Sequence, residues 1–203
     1  MQVYDSTTIL KSETNRWEAE LITAEGKKIK AKHLVICAGY ESASYLPMKV
    51  EVRNTTYAII SEPFACGKFW YEDALIWETA IPYLYMRTTR DNRILVGGRD
   101  DDFYNPARRD RRLPRKAEQL VSDFNKKFPH IPFRIDFKWA GIFCGTKDGL
   151  PYIGKVAQRP NTYFALGFGG NGITFSLIAA EILRDVLSGK KNEDAELFSF
   201  NRL

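Results

Sequence analysis

Gly167-Phe168-Gly169-Gly170-Asn171-Gly172, running on into Ile173-Thr174-Phe175-Ser176-Leu177-Ile178-Ala179-Ala180, is the stretch whose reading decides the fold. The short apolar run Tyr163 to Leu166 precedes it and predicts a strand. Behind it, apolar residues continue to Leu187 before Ser188-Gly189, which predicts a helix with a glycine stop. Strand, glycine-rich turn and helix in that order match the G-x-G-x-x-G spacing of a dinucleotide-binding turn. That assignment needs a further strand after the helix, carrying an acidic residue for a ribose. Only 16 residues follow Leu187, with no β-like run among them, so the assignment is rejected. Two readings stay open. One is a turn whose glycines let the helix pack closely. The preferred one is a helix N-terminus aimed at a ligand. Its unsatisfied N–H groups and positive dipole end would face an electron-rich group, and the missing side chains would let the backbone approach it.

Upstream, residues 1–37 read as β-structure. Thr7 to Leu10 and Trp17 to Thr23 alternate apolar and polar, Glu25-Gly26 marks a turn, and Lys28 to Lys32 is a short polar strand. Gln2-Val3-Tyr4 reads as the middle of a strand, so the chain is expected to be part of a longer one. Leu34-Val35-Ile36-Cys37-Ala38-Gly39 is a continuous apolar run ending in glycine, as in a buried parallel strand with a ligand at its C-terminal end. Further strands are predicted over Val50 to Ser61, Leu75 to Glu78, Tyr83 to Thr88, Ile94 to Asp100 and Phe133 to Phe143. Thr89 to Arg93 makes a hairpin turn between two of them. Leu113, Ala117, Leu120, Val121, Phe124 and Phe128 recur at helical spacing, with Pro114 read as a first-turn proline and Pro129 and Pro132 as the stop. Asp148-Gly149-Leu150-Pro151 is a turn.

Bulk properties narrow the classes. Of 203 residues 44% are hydrophobic and 13% aromatic, which suits a globular chain with a lined pocket and excludes a disordered tail. The net charge of +5 is a mild excess. Arg108 to Arg112 with Arg115 and Lys116 lacks interleaved aromatics and matches no nucleic-acid module, so it reads as a solvated helix start and no nucleic-acid partner is expected. Cys37, Cys66 and Cys144 are scattered and odd in number, which points to a reducing, cytoplasmic setting rather than a disulfide framework. No metal-ligand spacing is present, and His33 and His130 are expected at the solvent. No apolar run reaches the ~20 residues of a membrane helix.

Three segments in order resemble the FAD-dependent oxidases and dehydrogenases of the D-amino-acid oxidase, glycine oxidase and sarcosine oxidase type. The first is Leu34 to Gly39. The second is Trp139-Ala140-Gly141 with Thr146-Lys147-Asp148-Gly149-Leu150-Pro151-Tyr152-Ile153-Gly154, similar to the family's T-x-D-G-x-P-x-I-G signature. The third is Tyr163 to Thr174, similar to Y-x-A-x-G-F-G-x-x-G-x-x. The resemblance extends over essentially the whole chain. The family's opening strand with its G-x-G-x-x-G turn is absent, so the chain is expected to be the C-terminal part of such a protein, lacking an N-terminal partner segment and retaining FAD weakly or not at all by itself.

The resemblance implies a fold class of α/β with α+β. Residues 1–46 and 140–203 would form an incomplete FAD/NAD(P)-binding-type layer, and residues 47–139 a substrate domain built on a mixed β-sheet with a helix on one face. It implies non-covalent FAD, since the offset of Cys144 does not suit a covalent link. It also implies oxidation of a small amine or amino acid by hydride transfer; a non-catalytic binding module that kept the fold is the alternative. Ala38, Gly39, Gly141, Asp148, Gly149, Gly170, Asn171, Gly172, Ile173 and Thr174 are the expected cofactor contacts. For Asn171 a helix-capping role competes, and for Asp148 a hydrogen-bonding turn role is favoured. Tyr83, Tyr85 and Arg87 share one strand face, where an arginine fork flanked by phenols suits a carboxylate; an exposed arginine on a solvated strand face is the equal alternative. Arg99 is a rival for that role, and Trp77 and Trp139 are either pocket walls or core. No acid–base triad is required where a flavin carries the chemistry.

Overall fold

The structure, a computed structural model, describes residues 2–65 and 69–202; Met1, Cys66 and Leu203, with two neighbours of Cys66, lie outside them. The strands are β1 (Ile9–Thr14), β2 (Ala19–Thr23), β3 (Lys28–Ala31), β4 (Leu34–Ile36), β5 (Val52–Ser61), β6 (Ile76–Trp77), β7 (Leu84–Thr88), β8 (Ile94–Asp101), β9 (Ile135–Gly145), β10 (Tyr152–Lys155) and β11 (Thr162–Leu166). The helices are α1 (Pro106–Lys127) and α2 (Gly172–Leu187). Two compact units result, one from residues 1–52 and 144–203, the other from Arg53–Phe143.

The first unit has a small antiparallel meander, β1-β2-β3, and a three-stranded sheet in the order β10-β11-β4. In that sheet β11 runs antiparallel to β10 and parallel to β4. All five residues of β11 are buried because both of its faces are covered. Tyr163 and Ala165 point to α2 with Ala179, Ile182 and Leu183, while Phe164 and Leu166 meet Tyr152, Val156 and Ile36 on the other side. That alternation follows from the two-residue period of a strand. The run Leu34 to Gly39 is therefore parallel, as expected, but it is an edge strand, and Val35 and Cys37 are exposed.

The second unit is a five-stranded sheet, β6-β7-β8-β5-β9, with α1 on one face. Tyr57, Ile59, Leu84, Met86, Ile94 and Val96 bury against Ala117, Leu120 and Phe124 of the helix. Each large side chain so buried contributes about 1.5–3 kcal/mol. Asn105 caps α1 by accepting from the Arg108 amide at 2.9 Å, and Pro106 occupies the first turn.

Several expectations are corrected. Pro114 is inside α1, because the Asn105 cap starts the helix two turns earlier. Gln2, Val3 and Tyr4 form no strand; they pair with no described segment, and the side chains of Val3 and Tyr4 are exposed. Strand β10 escapes the sequence reading because it is only four residues long and contains Gly154 at a φ of 135°. Trp77 and Trp139 are both exposed, which removes the core reading for each. His33 and His130 are exposed as expected. The arginine-rich start of α1 packs locally: Arg108 stacks on Phe103 at 4.1 Å, and Arg112 and Lys116 bind Asp101 at 2.8 and 2.9 Å.

Candidate functional site

In the first unit a cleft of about 550 Å³ opens where the C-terminal ends of β4 and β11 meet α2. Ligands of open α/β sheets bind outside the carboxyl ends of strands in this way. Val35, Cys37, Gly39 and Tyr40 form one side, Ala165 to Gly169 the floor, and Gly172, Ser176, Ala179, Ala180 and Leu183 the helix side. Three of the lining glycines, Gly39, Gly169 and Gly172, have nothing within 4 Å of the position a Cβ would take. Bare backbone therefore faces open space along much of the cleft. Gly39 and Gly169 have φ angles of 55° and 53°, which side-chain-bearing residues rarely adopt.

At the head of α2 the first intrahelical bond runs from the Phe175 amide to the Asn171 carbonyl, at 3.0 Å. The amides of Gly172, Ile173 and Thr174 precede it and meet no acceptor among the described residues. Thr174 and Ile173 are exposed, Ile173 almost wholly so at 94%. Asn171 is the N-cap residue, yet its side chain makes no capping bond. Its φ and ψ of −106° and 34° are not the extended values that aim a cap at the first turn, so the expected side-chain cap is not formed. These donors and open backbone fit a flat cofactor with an acceptor edge that gains negative charge on reduction, such as the flavin of FAD.

Of the expected cofactor contacts, Gly39 and Gly172 line the cleft. Ala38, Gly170, Asn171, Ile173 and Thr174 are their chain neighbours; the Ala38 amide is used up on the Ser42 hydroxyl at 2.8 Å. Gly141 lies in the second unit, in β9. Asp148 and Gly149 sit in the turn after β9, outside the lining residues. Asp148 takes a bidentate grip from Arg202, which holds its carboxyl far below the usual range despite the opposing effect of burial. Cys144 is buried at 1% exposure, and its carbonyl accepts from the Gly169 amide at 3.0 Å. Sequence reasoning missed Gly169, Ser176, Ala179 and Leu183. The helical spacing of Gly172, Ser176 and Ala180 was the available signal for the face of α2 that turns to the cleft.

The second unit carries its own polar face, on the side of the sheet away from α1. Leu84 and Met86 bury against α1, so Tyr83, Tyr85 and Arg87 turn the other way. The rings of Tyr83 and Tyr85 are 6.3 Å apart, and Trp77 stands 6.2 Å from Tyr83. Burial, then the Asp100 carboxylate, pushes the Tyr83 phenol up to about 12, and the Tyr85 phenol rises for the same reasons. Burial also raises Asp100, against hydrogen bonding from Thr56 and Tyr83. Arg87 is exposed and bridges to no carboxylate among the described residues, whereas the rival Arg99 is committed to Asp123 at 2.5 Å. A protonated phenol pair beside an uncommitted guanidinium can receive a carboxylate.

The family model "FAD dependent oxidoreductase" matches residues 1–186. The chain belongs to that family of FAD-dependent oxidoreductases. It is 34% identical over 116 residues to gamma-glutamylputrescine oxidoreductase of Escherichia coli (strain K12), covering 56% of this chain and 24% of that protein. It is 24% identical over 200 residues to glycine oxidase of Bacillus subtilis (strain 168), covering 95% of this chain and 51% of the relative. Among solved structures, L-proline dehydrogenase from P. horikoshii superposes with a TM-score of 0.77 at 19% identity, over 95% of this chain and 52% of that one. Glycine oxidase from Geobacillus kaustophilus gives 0.69 at 20% identity, over 100% and 54%. The chain thus spans about half the length of the glycine oxidase it matches, and its mixed α/β architecture with several sheets corresponds to part of that fold.

Proposed function

We propose that the protein to which this chain belongs oxidises an amino acid or a secondary amine with non-covalently held FAD. The observation that carries this reading is the cleft at the head of α2: open glycine backbone beside three amides without acceptors, in a chain of an FAD-dependent family. The first unit, residues 1–52 and 144–203, supplies part of the cofactor layer, and the second, Arg53–Phe143, the substrate domain. When bound, FAD supplies the two-electron acceptor for the carbon that bears the nitrogen.

Every other task falls to the chain. The amides of Gly172, Ile173 and Thr174, at the positive end of α2, stabilise negative charge that grows on a ring placed against them. Arg87 holds a substrate carboxylate through its planar fork, which fixes the orientation of the neighbouring carbon. Tyr83 and Tyr85 wall the same face, and their raised phenols keep their protons at neutral pH. Asp148 acts as the brace of a turn rather than as a base, since the grip of Arg202 depresses its pKa and leaves its carboxylate too weakly basic to take a proton.

The test uses the full-length protein, purified and reconstituted with FAD, and then mixed anaerobically with a panel of α-amino acids and secondary amines. Bleaching of the visible flavin band, with release of the matching keto acid or aldehyde, supports the reading. A protein that cannot be made to hold FAD, or whose flavin is left unbleached by the whole panel, refutes it.

A further inference from the structure

Arg202 lies beyond the residues matched by the family model, in a short tail segment, Phe200–Arg202. Its side chain is only 10% exposed. Nε donates to Asp148 Oδ2 at 2.7 Å, and Nη2 donates to Asp148 Oδ1 at 3.1 Å and to the Leu150 carbonyl at 2.6 Å. Nη1 donates to the Pro151 carbonyl at 2.8 Å and to the tail's own Ser199 carbonyl at 3.3 Å. The guanidinium also lies 3.8 Å from the centre of the Tyr152 ring, against which Phe200 stacks at 5.0 Å. A guanidinium has five N–H donors in a fixed plane, and here nearly all of them are spent on one loop.

That loop backs the cleft. The Thr146 hydroxyl sits 2.8 Å from the Leu150 carbonyl and 3.2 Å from Asp148 Oδ1, inside the knot that Arg202 ties. The Thr146 methyl carbon lies 2.6 Å from where a Cβ on Gly167 would be, so the loop packs into the space beside the start of the glycine turn. Two residues on, the Gly169 amide is tied to the carbonyl of Cys144, just before the loop. Both Gly167 and Gly169 line the cleft. A continuous path of contacts therefore runs from the tail, through Asp148 and Thr146, to the backbone floor of the site.

We propose that Arg202 is a positioning residue for the cofactor, one that fixes the glycine turn at the height a flat ligand requires. The inference rests on the flavin reading above. Without the guanidinium, the Asp148 carboxylate and the Leu150 and Pro151 carbonyls each lose a charge-assisted donor. Thr146 is then no longer held against Gly167, and the turn is free to shift. Hydrogen bonds to a ligand weaken steeply with small displacements of their donors, so a loosened turn loses affinity before it loses its fold.

The experiment compares full-length wild-type protein with Arg202→Met, Arg202→Lys and Asp148→Asn. Arg159→Met serves as a control that cuts another arginine clamp of the same unit, to Ser12 and the Tyr45 carbonyl, none of which lines the cleft. The readouts are the FAD dissociation constant, thermal unfolding of the flavin-free protein and the visible circular dichroism of bound flavin. Arg202→Met is expected to weaken FAD by about tenfold or more, as loss of a charge-assisted contact network does, and to change the flavin dichroism. Arg202→Lys is expected to fall between, and Arg159→Met to lower stability with FAD affinity retained. If Arg202→Met does not fold, Asp148→Asn carries the test, with weaker FAD binding expected in a folded protein. FAD affinity unchanged in the folded Arg202 or Asp148 variant overturns the inference and leaves the flavin reading standing. Wild-type protein that holds no FAD overturns both.

Discussion

The Tyr85 ring lies directly over Gly97, its partner across the β7–β8 ladder: a Cβ at Gly97 would stand 2.2 Å from the ring's Cζ and hydroxyl oxygen. Glycine is needed here for space, not for an unusual backbone angle. The seat it provides lets the phenol lie flat across the sheet and holds Tyr85 beside Tyr83 on the face that carries Arg87. Gly97→Ala is expected to drive the Tyr85 ring out and to destabilise the protein by about 1–3 kcal/mol, the usual result of overfilling a packed contact. Denaturant unfolding checks it. Pairing it with Tyr85→Ala should restore most of the loss, because the clashing ring is gone; additive losses would show that Gly97 has some other role.

Asp101 gathers three donors. Tyr57 donates at 2.9 Å, Lys116 at 2.9 Å and Arg112 at 2.8 Å. Burial pushes this carboxyl up, yet the bonds from Lys116, Tyr57 and Arg112 outweigh it and leave its pKa below the ordinary value. A depressed folded pKa adds stability that is present above the unfolded value, about 4, and is lost as pH falls through the folded one. Asp101→Asn is expected to destabilise by about 1–3 kcal/mol at neutral pH, the range for removing a charged partner from a partly buried network. The gap from wild type should narrow as pH drops below about 4. Parallel unfolding series at the two pH values decide it, and a gap that stays constant would remove Asp101 from the acid response.

Tyr83 offers a spectroscopic check on the polar face. With its phenol pushed up to about 12 by burial and by Asp100, Tyr83 ionises later than an ordinary tyrosine. The difference between the alkaline absorbance titrations of wild type and Tyr83→Phe isolates its contribution. That difference should appear near pH 12, and adding Asp100→Asn to both proteins should move it toward the normal value of about 10. A difference already at the normal value would place Tyr83 in water, away from Asp100.

The elements with strong periodicity were legible in the sequence. The three-to-four spacing in α1 reports one buried face, and burial of that face is what selects the helix; the apolar runs in Val52–Ser61 and Ile94–Asp101 instead mark strands with several consecutive residues buried. The glycine turn before α2 was legible for a similar reason, since so many glycines in a row have few other uses. The start of α1 was misread because Pro114 looks like a first-turn residue, while the Asn105 cap that sets the start is a single short side chain. Arg202 was invisible: its partners are some fifty residues away in sequence, and nothing in a linear pattern couples Asn201-Arg202 to Asp148-Gly149. The same holds for Gly97 under Tyr85, a pairing that exists only once the β7–β8 register is set. Tertiary partners chosen by register or by a returning tail leave no periodic trace.

Gly172→Val addresses the placement of the cofactor most directly. Nothing lies within 4 Å of the added Cβ in the folded chain, so the flavin-free protein should unfold at nearly the wild-type temperature. The new side chain projects from the first residue of α2, where the amides without acceptors begin. The measurement is the FAD dissociation constant of the full-length variant beside wild type. The expected result is a loss of about tenfold or more, as when a ligand is pushed off a set of charge-stabilising donors, at unchanged stability. Wild-type affinity in Gly172→Val would contradict a flavin resting against this end of the helix.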